Sequence, residues 1–147
     1  MTQTQYAQIS DLTTYGLPAT ALQSPNLGVQ VVNAALISAS AEMDSYFRGR
    51  YSLPFIAWGQ EVTECCAKLT AYHLLSVRGY NPAAAADVNI RDRYTDAIDW
   101  LNKVQRQAVH PNVTPQPSQT PQYNQPFVTS FSVISTATGQ KAPQRGW

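Results

Sequence analysis

The chain has 147 residues and a mass of 16.2 kDa, with 10 Lys and Arg against 9 Asp and Glu. Only 13% of the residues are charged, where globular domains average about 25%, so neither a strongly basic grip on nucleic acid nor a disordered polyampholyte fits. No apolar run approaches the roughly 18 residues of a membrane helix, and Met1–Gln5 lacks the basic and apolar start of a signal peptide, so a single, membrane-free domain working in a cytoplasm is expected.

In chain order, a short helical turn is expected over about 10–15, capped by Ser10 and ended by Gly16. A long helix follows over about 26–48. Asn26 can cap it, and Leu27, Val31, Ala35, Ala39, Met43 and Phe47 keep a period near 3.6. A second helix is expected over about 60–78. Val62, Cys65, Cys66, Leu69, Tyr72, His73 and Val77 share one face, and Gly79 stops it. The third is expected over about 84–107, with Ile90, Tyr94, Ala97, Ile98, Leu101, Val104 and Ala108 inward. Asp87 sits early in it and Lys103 and Arg106 sit late, matching the helix dipole. Pro54 and the Asn81-Pro82 pair break the helices between these segments.

The composition changes near Val109. Residues 1–108 hold four prolines, whereas residues 109–147 hold six, with six glutamines and no acid. The expected organisation is therefore mainly α: a small antiparallel helical bundle, short opening helix plus three long ones, over 1–108. An extended Pro/Gln-rich arm over 109–147 follows it. Within the arm, residues 127–136 are β-branched and aromatic, with Phe127, Phe131 and Val133 on one side of a short strand. A lone strand leaves its edges unpaired, so it must pair with itself, the body or another subunit.

Chemistry-bearing patterns are sparse. The glycines are scattered singly, which excludes a phosphate loop. Cys65 and Cys66 are adjacent, which excludes a disulfide framework and reads as two small buried hydrophobes. Asp92, Asp96 and Asp99 share roughly one helix face. Interleaved with Arg91 and Arg93, they read as a solvated face rather than a metal site. His73 reads as a satisfied core histidine and His110 as a helix end. No catalytic, cofactor-binding or metal-binding residues are assigned. Asp44, Arg48, Arg50 and Tyr51 cluster after the first long helix. The local reading is a helix-end cap with an Asp44–Arg48 pair; the alternative is a subunit-contact corner, since Arg and Tyr concentrate at interfaces.

The stretch from Ser40 to Phe55, reading Ser-Ala-Glu-Met-Asp-Ser-Tyr-Phe-Arg-Gly-Arg-Tyr-Ser-Leu-Pro-Phe, resembles a signature of tailed-phage head–tail adaptor proteins of the Mu type. Asp44, Ser45, Tyr46, Gly49, Arg50, Tyr51, Leu53 and Pro54 match it. Phe47 stands where Leu is usual, and Arg48 where a small residue is usual. Cys66–Leu75 and Arg93–Leu101 resemble the family's second and third helices, Tyr6–Leu12 its opening helix, and Arg145-Gly146-Trp147 its basic–Gly–aromatic end. Members often carry a Gly just after the third helix, where this chain has Gln105-Arg106-Gln107.

The resemblance implies a structural protein with no enzymatic activity. It implies a ring of copies, usually dodecameric, bound under the portal protein. That ring extends the DNA channel, passes genomic DNA without reading its sequence and offers a platform to the next neck or tail-completion protein. It places the protein at the head–tail interface of the virion, after assembly in the host cytoplasm, with portal or neighbour docking by Phe127, Phe131, Val133, Arg145, Gly146 and Trp147. The runner-up is a small helical DNA-binding packaging factor using Arg91, Arg93, Lys103 and Arg106. An enzyme built on Asp92, Asp96 and Asp99 ranks below it.

Overall fold

A computed structural model describes residues 4–117 of the chain. These residues are mainly helical. In order they form α1 (Ile9–Asp11), a π-helical turn (Leu12–Gly16), α2 (Ala19–Leu22), α3 (Val29–Phe47), β1 (Phe55–Trp58), α4 (Gln60–Arg78), α5 (Ala85–Gln105) and β2 (Val113–Pro115). Among the described residues no helix is long and apolar enough to cross a membrane.

The three long helices lie where the 3.6-residue period puts them, and α4 is the middle one. It touches α3, α5 and the π-helical turn. Nine of its residues are therefore buried, from Val62 through Cys65, Cys66 and Leu69 to Leu75, around more than one face. Opposite them lie Val32, Leu36, Ala39, Met43 and Phe47 of α3 and Ile90, Ala97, Leu101 and Val104 of α5. The helix termini differ from expectation in several places. Asn26 does not cap α3. Leu27 N–H bonds Ser24 C=O at 2.9 Å and Leu27 is buried, so the chain is still turning and Gly28 becomes the N-cap. Ser10 is not the first cap either. Gln8 holds that place, its N–H donating to Asp11 Oδ2 at 2.7 Å. Val77, given to the buried face by its period, is 57% exposed at the end of α4. Ala108 is exposed as well, because α5 stops at Gln105.

That stop is a Schellman turn. Ala108 N–H reaches Lys103 C=O at 2.8 Å and Gln107 N–H reaches Val104 C=O at 3.0 Å. Gln107 takes the left-handed conformation, φ 64°, that the motif requires. A side chain costs about 1 kcal/mol there. Gln107→Gly is therefore expected to raise stability by several tenths of a kcal/mol, after its greater freedom in the unfolded chain is subtracted. The check is the urea midpoint at an unchanged slope.

After α5 the chain returns to the bundle. β2 pairs antiparallel with β1, Phe55 opposite Pro115, Ala57 opposite Thr114 and Trp58 opposite Val113, with an irregularity between Phe55 and Ala57. Gly59 N–H to Asn112 C=O at 2.7 Å extends the pairing. Periodicity signalled neither strand; residues 55–58 read as a linker and 113–115 as the start of the arm. The β segment expected at 127–136 lies outside the described residues, as do Phe127, Phe131, Val133, Arg145, Gly146 and Trp147.

Candidate functional site

The segment from Ser40 to Phe55 ends α3, turns, and enters β1 through a cis Leu53–Pro54 peptide. Its side chains tie three distant parts of the chain together. Asp44 does not pair with Arg48. Its Oδ1 accepts a short hydrogen bond from the Tyr6 hydroxyl. Burial holds the Asp44 carboxyl above the usual carboxylate range, against the lowering effects of the Tyr6 hydroxyl and the more distant Arg48 charge. Burial likewise pushes the Tyr6 phenol far up, and the Asp44 carboxylate adds to it.

Tyr6 is 1% exposed and is held on three sides. Its N–H donates to Ser40 Oγ at 3.2 Å, and its C=O accepts from Trp58 Nε1 at 3.1 Å. Its ring sits edge-on to Phe47 and Trp58, with centroids 6.1 and 5.0 Å away, and tilted to Phe55 at 5.9 Å. Tyr51 extends the cluster, edge-on to Phe47 at 6.2 Å and to Phe55 at 5.8 Å. Arg50 Nε donates to the Gln105 carbonyl at 2.8 Å, so it satisfies one of the open carbonyls at the end of α5 rather than of its own helix. Arg48 is exposed, and its side chain makes no hydrogen bond or ion pair among the described residues.

Of the four clustered residues, three are thus engaged inside the fold and Arg48 is not. Sequence reasoning missed Tyr6 as the plug of this cluster. Its partners lie 34 to 52 residues away, beyond any local pattern.

Two residues before Asp44, Glu42 holds a second network. Its Oε2 lies 3.0 Å from His73 Nε2 and its Oε1 accepts from the Tyr94 hydroxyl at 3.2 Å. Tyr94 stacks on Tyr72 with centroids 4.1 Å apart. Burial, then the Glu42 charge, pushes the Tyr94 phenol up to about 12. His73 is half-buried and partnered, a joint between α3, α4 and α5 rather than a deep core residue. Val31, Ala34, Ala35, Ser38, Tyr72, His73, Ser76, Val77 and Tyr94 line the groove beside it.

Asp92, Asp96 and Asp99 are exposed, and Arg91 reaches Asp92 at 3.2 Å. Asp87, expected only to favour the dipole, is buried and organises the α4–α5 turn. Arg78 donates to its Oδ1 and Asn81 N–H to its Oδ2 at 3.0 Å, and both hold its carboxyl below the usual range. Cys65 and Cys66 are free and buried. Burial pushes the Cys65 thiol up to about 12 and the Cys66 thiol up as well. Thiolate is the reactive form, so the folded protein is expected to react with a thiol reagent at pH 8 at least a hundredfold more slowly than in urea. Rapid labelling without urea would contradict this packing.

A sequence model of the family described as Bacteriophage Mu, Gp36 matches residues 1–130. No curated protein matches the chain.

Proposed function

We propose that this chain, which belongs to the bacteriophage Mu Gp36 family, is a structural head–tail adaptor. In this reading copies form a ring under the portal protein, continue the DNA channel and present a platform to the next neck or tail-completion protein. The role is non-enzymatic and needs no cofactor. DNA passes through the lumen without sequence recognition.

The observation that supports this most is where the Ser40–Phe55 residues go. Asp44, Arg50 and Tyr51 tie the opening segment, the end of α5 and the β1 entry into one rigid unit. A ring subunit needs that rigidity, because small errors in each contact angle would stop the ring from closing. Low charge fits a subunit whose faces are covered by neighbours, since interface cores are depleted of charged residues. The thirty residues after Pro117 could span up to ~100 Å if extended, enough to reach past an adjacent subunit. The DNA-binding packaging-factor reading is weaker, because on α5 Arg91 is already tied to Asp92 and acids alternate with the other bases.

Co-sedimentation with the cognate portal ring tests the proposal, comparing the full chain with one ending at Pro126. The full chain is expected to bind and the shortened one to lose binding. Binding by both would move docking to the helical body. Binding by neither would remove the portal-adaptor assignment.

A further inference from the structure

Among the described residues Asp11, Glu42, Asp44 and Glu61 are partly buried carboxylates with no Arg or Lys in ion-pair range, and Arg48, Arg50, Arg93, Lys103 and Arg106 have no carboxylate in range. From Leu12 to Ala41 the chain carries no Asp, Glu, Lys or Arg. The exposed face of α3 over this run, from Val29 and Gln30 through Ala34 and Ser38 to Ala41, is therefore small and uncharged. It borders the groove between α3, α4 and α5. Beside that groove stands Glu42, with its side chain 27% exposed. Its partners are an imidazole and a phenol, and no Arg or Lys lies within 4 Å of it among the described residues.

Three carboxylates do have a cation: Asp87 has Arg78, Glu64 has Lys68 at 2.7 Å and Asp92 has Arg91. Asp11, Asp44 and Glu61 instead accept from Gln8 N–H, the Tyr6 hydroxyl and Asn112 N–H, away from this groove. A carboxylate walled by stacked tyrosine rings gains more from a guanidinium than an exposed one does. Screening is weaker there, and the ring faces attract the cation as well. Arg50 is bonded to the Gln105 carbonyl and Arg93 and Arg106 belong to α5 and its end, so among the described residues Arg48 is the guanidinium that stands clear of α5 with neither a hydrogen bond nor an ion pair. It cannot be the Glu42 cation of its own chain, since no such pair forms.

We propose that Arg48 of one copy enters the Glu42–Tyr72–Tyr94 groove of the next copy, with the uncharged face of α3 covered by the same contact. The two surfaces differ, so the contact is head-to-tail and can propagate into a ring. This inference rests on the ring reading above and adds the residues that join its subunits.

A double-mutant cycle tests it, using Arg48→Ala, Glu42→Gln and the double variant in the full chain. Glu42→Gln keeps an oxygen to accept from Tyr94, and Arg48 is exposed, so circular dichroism should report an intact fold for both. Self-association is read by analytical ultracentrifugation, alone and on the portal ring. Each single variant is expected to weaken association at least tenfold, and the double variant to be little worse than either single one. Unchanged association of Arg48→Ala, or additive losses, would overturn the pairing while leaving the ring reading in place. A loss with Glu42→Gln alone would point to a different cation and equally overturn it. A wild-type chain that stays monomeric both alone and on the portal would overturn the ring reading together with this one.

Discussion

Tyr6→Ala is expected to destabilise the protein by about 4 kcal/mol, the range for truncating a buried aromatic, and to leave little folded chain at 37 °C. Small domains have only about 5–15 kcal/mol in total. The loss combines a cavity among Phe47, Phe55 and Trp58 with the Asp44 carboxylate left half-buried without its donor. Urea denaturation followed by Trp fluorescence measures it directly, because Trp58 lies against Tyr6.

Tyr6→Phe separates the two parts. The ring stays and only the hydroxyl goes, so about 2 kcal/mol is expected at pH 7, typical for a hydrogen bond to a charged acceptor. The pH dependence carries the sign. Asp44 has its folded pKa raised above the unfolded value. Its ionisation thus weakens the folded state as pH rises through that raised pKa. The Tyr6 hydroxyl limits this by favouring the ionised form. Without it the Asp44 pKa climbs further, so the Tyr6→Phe deficit grows above the carboxylate range and shrinks below about pH 4. A deficit that stays constant from pH 3 to pH 7 would show that Asp44 is not the acceptor that matters.

The same cluster shows what the sequence could and could not convey. α3, α4 and α5 were legible because each buries a stripe at 3.6-residue spacing over about twenty residues. Their ends were less so. Asn26 and Ser10 have good capping side chains, but burial of Leu27 and the Gln8–Asp11 bond decide where the helices begin. Asp44 and Arg48 are an i, i+4 pair, and local spacing favours joining them. An exposed pair of that kind is worth only tenths of a kcal/mol, and the buried Tyr6 hydroxyl wins. Arg50 shows the same limit, since it caps α5, 55 residues away, rather than its own helix. β1 and β2 are four and three residues long, too short for alternation to register. The prominence of the Ser40–Phe55 stretch was legible; that Asp44 and Arg50 would be spent inside the fold was not, because their partners Tyr6 and Gln105 lie 38 and 55 residues away.

Gly16→Ala is expected to cost about 2 kcal/mol, within the usual range for forcing extra volume into a packed interior. Gly16 ends the π-helical turn where it crosses α4. A Cβ there would lie 2.9 Å from the Ala67 carbonyl oxygen and 3.2 Å from Ala71 Cβ. The first is backbone in the middle of a buried helix, so it cannot swing aside as a side chain could. Relief would require the turn to lift from α4, and that would open the packing of Leu12 and Leu17, both buried beside it. Gly49→Ala is the control. A Cβ there meets nothing within 4 Å, and the loss of freedom in the unfolded chain should leave it neutral or slightly stabilised. Thermal unfolding of the two variants should therefore shift in opposite directions or leave Gly49→Ala unmoved. Equal losses would mean that helix or turn propensity, rather than the close approach to Ala67, sets the requirement at position 16.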